Sequence, residues 1–120
     1  MGRQKVLIAD DEANIRLLVR SILSKDYIVL EASDGEEALE VARTKRPDLI
    51  LMDIMMPKLD GVGACYILKS HPQTKGIPVV MLTALTDKLD QEYSKDMGAD
   101  GYINKPFASH DLLDTICQFL

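Results

Sequence analysis

The sequence has little cysteine: Cys65 and Cys117 are its only two. They form no CxxC pair and no metal-ligand spacing, which excludes a disulfide framework or a zinc site as the organising device. Both read as small apolar residues of a reduced, cytoplasmic protein. Long apolar runs are also missing. None approaches the roughly 20 residues needed to span a membrane, and Asp10 and Asp11 interrupt the one early apolar stretch, so no signal-peptide pattern is present. Positive charge is in deficit. A formal charge of −5 and a pI near 4.9 leave no net field to draw in phosphates, so this segment is not expected to bind nucleic acid directly. Linkers and low-complexity stretches are absent. The 120 residues suit one domain, long enough to bury a core without covalent staples.

What is present is alternation. Short apolar runs at Val6–Ala9, Tyr27–Ala32, Leu49–Met52, Pro78–Leu82 and Gly101–Ile103 read as strands. Between them lie amphipathic stretches. Ile15, Leu18, Val19, Ile22 and Leu23 mark one helix face, and Ala38, Leu39, Val41 and Ala42 a second. Ser33 with Glu36 predicts a capping box for the second helix. A third helix, with Gly63 near its start, turns Ile67 and Leu68 inward. Thr86 or Asp87 opens a fourth that ends near Gly98. Ser109 caps the last, with Leu112, Leu113, Ile116, Cys117 and Leu120 on one face. Near-continuous apolar strands alternating with helices predict an α/β fold, a doubly wound five-stranded parallel sheet covered on both faces.

In such a sheet, ligands bind beyond the carboxyl ends of the strands. Those ends carry Asp10 and Asp11 followed by Glu12, then Asp53, then Thr83, and finally Asn104, Lys105 and Pro106. Clustered carboxylates repel unless a cation neutralises them, and an all-oxygen acidic site suits Mg²⁺. A metal there can shield the approach of an anionic phosphate to the nucleophile Asp53. The Lys105 ammonium and the Thr83 hydroxyl can each serve a phosphoryl oxygen. Each residue also has a plain reading. The Asp pair could cap the next helix, Asp53 could be a loop carboxylate, Thr83 structural and Lys105 a solvated lysine. Their joint placement at successive strand ends favours the chemical reading. A dinucleotide site would need a glycine-rich turn where Asp10-Asp11-Glu12 stands, and no Walker-type loop occurs. His71 and His110 fall outside the acidic set and read as surface residues.

The ordered motifs resemble the receiver domain of two-component response regulators over essentially the whole chain. They are Val6 to Glu12, Asp34-Gly35 with Glu37-Ala38, Pro47 to Asp53, Met56-Pro57 with Asp60-Gly61, Pro78 to Ala84, Gly98 to Ile103, and Lys105-Pro106-Phe107. The resemblance implies a (βα)5 flavodoxin-like fold with strand order 2-1-3-4-5, and one receiver domain over residues 1–120. It implies that Asp53 accepts a phosphoryl group from a histidine kinase or phosphotransfer protein. Mg²⁺ would be held by Asp11, Asp53 and the Met55 carbonyl, with Asp10 acting mainly through water. Lys105 would pair with the phosphoryl group, next to a cis peptide before Pro106. Thr83 and Tyr102 would form a switch pair acting on the face of the fourth helix, fifth strand and fifth helix. A receiver homodimer or a downstream output domain would be the readout. The only activities implied are self-phosphorylation and slow self-dephosphorylation. Met55 and Leu85, apolar at positions that govern water attack, imply a long-lived phosphoryl state. Two other readings remain: a receiver fold kept as an interaction module, and a metal-dependent aspartyl-phosphate phosphatase, which would normally show Asp-x-Asp after the first strand.

Overall fold

The computed structural model describes residues 2–84 and 95–120. Strands β1 (Lys5–Ala9), β2 (Ile28–Ala32), β3 (Leu49–Asp53), β4 (Val79–Thr83) and β5 (Gly101–Asn104) form one sheet. Helices α1 (Ala13–Leu23), α2 (Gly35–Lys45), α3 (Gly61–Ser70) and a C-terminal helix (Ser109–Phe119) accompany them. Every strand pairing is parallel, in the order β2-β1-β3-β4-β5. This is the doubly wound α/β fold expected from the sequence. Leu85 and the expected start of a fourth helix at Thr86 or Asp87 lie outside the described residues. The expected end of that helix is described: Gly98 adopts φ 107°, and its N–H bonds the Lys95 carbonyl at 2.9 Å.

The pleat sorts side chains onto two apolar layers. Val6, Ile8, Leu49, Leu51, Val80 and Leu82 face Val19 and Leu23 of α1 and Leu112 and Ile116 of the C-terminal helix. Leu7, Ala9, Ile50, Met52, Val79 and Met81 face Ala38 and Ala42 of α2 and Ala64, Cys65 and Leu68 of α3. Each Val, Leu, Ile or Met side chain buried this fully contributes about 1.5–3 kcal/mol. Every residue of β3 and of β4 is buried, so Asp53 and Thr83 stand at the ends of strands packed on both faces. Cys65 packs in this core as a free thiol that burial pushes up to about 11, with Lys69 and Asp100 acting in opposite directions.

Several boundaries shift from expectation. Strand β2 starts at Ile28 rather than Tyr27, and β3 and β4 each run one residue further, making Asp53 and Thr83 true strand residues. The cap of α2 is Asp34, not Ser33: its carboxylate accepts from Glu37 N at 2.8 Å, while Glu37 accepts from Ser33 N at 2.7 Å. Ala108, not Ser109, precedes the C-terminal helix, and its N–H donates to Asp111 at 3.0 Å. Leu18 and Cys117, expected inward, are exposed. Each sits one residue from an inward position, Val19 or Ile116, and therefore roughly 100° around its helix.

Candidate functional site

The carboxyl edge of β1 turns sharply into α1, and that turn is held from several sides. Asp10 N–H donates to Ala32 O at 3.0 Å, extending the β1–β2 ladder by one bond. Glu12 N–H donates to Asp10 Oδ1 at 2.9 Å. Asp10 Oδ2 accepts from Lys105 Nζ at 2.7 Å. Both oxygens of this fully buried carboxylate are thus engaged. Asp11 and Glu12 are exposed and line a cleft of about 260 Å³ together with Asp53, Ile54, Met55, Thr83, Ala84 and Lys105.

Asp53 sits at the floor of that cleft. Its Oδ1 accepts from Met55 N–H at 3.2 Å, and its Oδ2 lies 3.3 Å from Lys105 Nζ. Lys105 therefore bridges Asp10 and Asp53. The lysine is delivered by the end of β5: its N–H bonds Thr83 O at 2.7 Å, and the peptide to Pro106 is cis. One carboxylate oxygen from each of Asp10, Asp11, Glu12 and Asp53 lies within 4.8 Å of the others. Burial raises the Asp53 carboxyl to about 6, the neighbouring Asp10 adds to this, and Lys105 and the Met55 amide offset part of it. Burial would lower the Lys105 ammonium, but the bond to Asp10 and the Asp53 charge outweigh it and the net shift is upward. Lysine in the cleft is therefore held charged.

The donors are hard oxygens, and negative charge exceeds what Lys105 supplies to it. Both features fit a small divalent cation. The residues expected at the site are brought together: Asp10, Asp11, Asp53, Met55, Thr83 and Lys105. The Met55 side chain is 68% exposed at the rim. Tyr102 lies apart from the cluster, half-buried on β5 against the α2–α3 layer. It is paired with Met81 in the β4–β5 register, so it shares a sheet face with Thr83 two residues on. Burial raises its phenol above the ordinary value, with smaller contributions from Cys65 and Asp96. Two further residues take part to which the sequence pattern assigns no role in the site. Glu12 joins the carboxylate cluster, signalled only by its place after the Asp pair. Arg16, on α1, donates from Nη1 to Asp10 O at 2.6 Å. His71 and His110 are exposed and outside the cluster.

The sequence model of the response regulator receiver domain matches residues 6–117. The chain belongs to that family. It is a receiver of two-component signalling, and the fold and acidic cleft agree with that membership. This receiver is 46% identical over 111 residues to the "Probable transcriptional regulator ycf27" of Guillardia theta, covering 92% of the chain and 42% of the relative. It is 43% identical to the "Alkaline phosphatase synthesis transcriptional regulatory protein PhoP" of Bacillus subtilis, over 91% of the chain and 45% of that protein. The receiver thus spans less than half the length of these relatives. Among solved structures, the chemotaxis response regulator CheY4 of Vibrio cholerae superposes with a TM-score of 0.94 at 36% identity, over 99% of this chain and 100% of that one. The receiver domain of the sensor histidine kinase PA1611 of Pseudomonas aeruginosa, with a magnesium ion coordinated in its active-site cleft, gives a TM-score of 0.91 at 28% identity, over 98% of both chains.

Proposed function

We propose that Asp53 is the phosphoacceptor of this receiver and that Asp10, Asp11, Thr83 and Lys105 complete its chemistry. The observation that carries this reading is the Lys105 ammonium spanning Asp10 and Asp53, at 2.7 and 3.3 Å, on the floor of an acidic cleft. An Asp53 oxygen attacks the phosphorus of a phosphohistidine on a histidine kinase or phosphotransfer protein. An O–P bond forms, the N–P bond breaks, and the imidazole leaves with the bonding pair and takes up a proton. The rigid strand end fixes the nucleophile, so the protein's contribution is chiefly positioning and charge neutralisation. Lys105 then exchanges Asp53 for a phosphoryl oxygen, and the Thr83 hydroxyl serves another.

Asp11, Asp53 and the Met55 carbonyl would hold Mg²⁺, with Asp10 acting through water and Glu12 adding charge at the rim. When bound, the ion supplies the positive charge that lets anionic phosphate approach a carboxylate. Thr83 and Tyr102 act as the switch: a hydroxyl drawn to the phosphoryl group biases the packing of β5 and its neighbouring face. That altered face serves a receiver homodimer or an output domain, in a cytoplasmic protein. The chemistry is limited to self-phosphorylation and slow hydrolysis, in which water attacks phosphorus, the O–P bond breaks, and inorganic phosphate and the Asp53 carboxylate return.

Incubation with a small acyl phosphate, with and without Mg²⁺, followed by intact mass measurement tests this reading. One phosphoryl adduct that requires Mg²⁺ and is lost in Asp53→Asn is expected. An adduct in the absence of any divalent cation would count against the metal assignment. The apolar Met55 at the cleft rim offers no group to orient a hydrolytic water. Decay of the adduct after donor removal is therefore expected at the long end of the receiver range, and decay at the short end would contradict this.

A further inference from the structure

We infer that Arg16 is a positioning residue for the acidic turn, fixing the Asp10–Asp11 peptide so that the carboxylates meet a divalent cation in a prearranged geometry. The inference rests on the functional reading above and concerns a residue that contributes no ligand. The Asp10–Asp11 peptide group follows the last bond of the β1–β2 ladder, and among the described residues no backbone N–H donates to Asp10 O. Arg16 supplies a donor, at 2.6 Å. The same guanidinium donates from Nε to Glu31 Oε1 at 3.1 Å. Glu31, on β2 opposite Ile8 in the strand register, is itself gripped by Arg20 through Nε at 2.9 Å and Nη2 at 2.7 Å. Arg20 also bonds Val29 O at 3.1 Å.

The chain of contacts therefore runs from β2 through Glu31 to Arg16 and ends on the carbonyl between the two aspartates. Only the last link touches the turn. Arg16 is also the less exposed of the two arginines, at 19% against 43% for Arg20, so its charge-assisted bond is less diluted by water. The planar fork is what makes the geometry: Nε and Nη1 serve two acceptors at once, which a lysine ammonium on a flexible stem reproduces poorly. Groups that orient metal ligands without touching the metal typically change metal affinity by about 10–100-fold when removed.

The test is titration of the purified protein with Mg²⁺ alone, by calorimetry, alongside thermal unfolding without the ion. Arg16→Met is expected to weaken Mg²⁺ binding by about tenfold or more, with Arg16→Lys falling between it and wild type. Arg20→Met is the control. It breaks the neighbouring links to Glu31 and Val29 and should lower the melting temperature at least as much, yet leave the Mg²⁺ dissociation constant within about twofold of wild type. Equal Mg²⁺ affinity in Arg16→Met and wild type would overturn the inference alone. So would equal losses in Arg16→Met and Arg20→Met, which would mark a general stability effect. A wild-type protein that takes up no Mg²⁺ would overturn the functional reading together with the inference.

Discussion

Asp53 is a carboxylate kept in an environment that disfavours its charge. Its carboxyl stands at about 6 instead of 3.8, because it is buried and faces Asp10, with Lys105 compensating in part. The sign of the consequence follows from linkage. A folded-state pKa above the unfolded one means that the folded protein binds the proton more tightly, so the contribution to stability is full below the unfolded pKa and lost as pH rises through the folded one. Without divalent cations, the Asp53 contribution should therefore decline between about pH 4 and pH 6. Asp53→Asn removes that decline. Urea unfolding should find the variant more stable than wild type by about 1–2 kcal/mol at pH 7, after allowance for solvent at the cleft mouth, and nearly equal at low pH. A variant less stable than wild type at pH 7 would mean that Lys105 dominates this carboxylate.

The strand ends deliver the site, and small residues behind them make the approach possible. A Cβ on Gly61 would lie 2.1 Å from Asp53 O, and Gly61 N–H already bonds Ile54 O at 2.9 Å. Gly61→Ala must therefore push α3 or the end of β3 aside, at a cost of about 2 kcal/mol, and should slow phosphoryl uptake by shifting Asp53. Gly76→Ala, where nothing lies within 4 Å, should leave uptake from the small phosphodonor unchanged. Rates measured side by side separate the two. The elements themselves were largely legible in the sequence, because strands buried on both faces read as unbroken apolar runs. Helix edges were less so. Leu18 and Cys117 are apolar but fall just past the edge of an apolar stripe, where packing and not composition decides burial. The α2 cap was ambiguous by one residue, since Ser33–Glu36 and Asp34–Glu37 both carry the cap spacing. The backbone decides it: Asp34 is extended at φ −155° and ψ 173°, and its carboxylate accepts from Glu37 N, so the helix begins at Gly35. Asp10, Asp11, Asp53, Thr83 and Lys105 were readable from their strand-end positions. Arg16 was not, because its partner is a backbone carbonyl, which no side-chain pattern reports.

Across the molecule, residues far apart in sequence depend on one another through the cleft: Lys105 reaches Asp10 across 95 positions. A cation that binds only the folded arrangement must then stabilise the whole domain. At tenfold above its dissociation constant, Mg²⁺ should add about 1.4 kcal/mol, which is about 5 °C in melting temperature for a domain of this size. Asp53→Asn and Asp11→Asn should lose most of that gain, and an equal gain in both variants would place the ion elsewhere. The receiver covers under half of its curated relatives, so the direct test belongs to the receiver chemistry itself. The most direct measurement is to phosphorylate the protein in Mg²⁺, reduce the acyl phosphate with borohydride, and locate the resulting homoserine by peptide mass. Conversion at position 53 alone is the predicted result, and conversion at Asp10, Asp11 or any other carboxylate with Asp53 intact would contradict it.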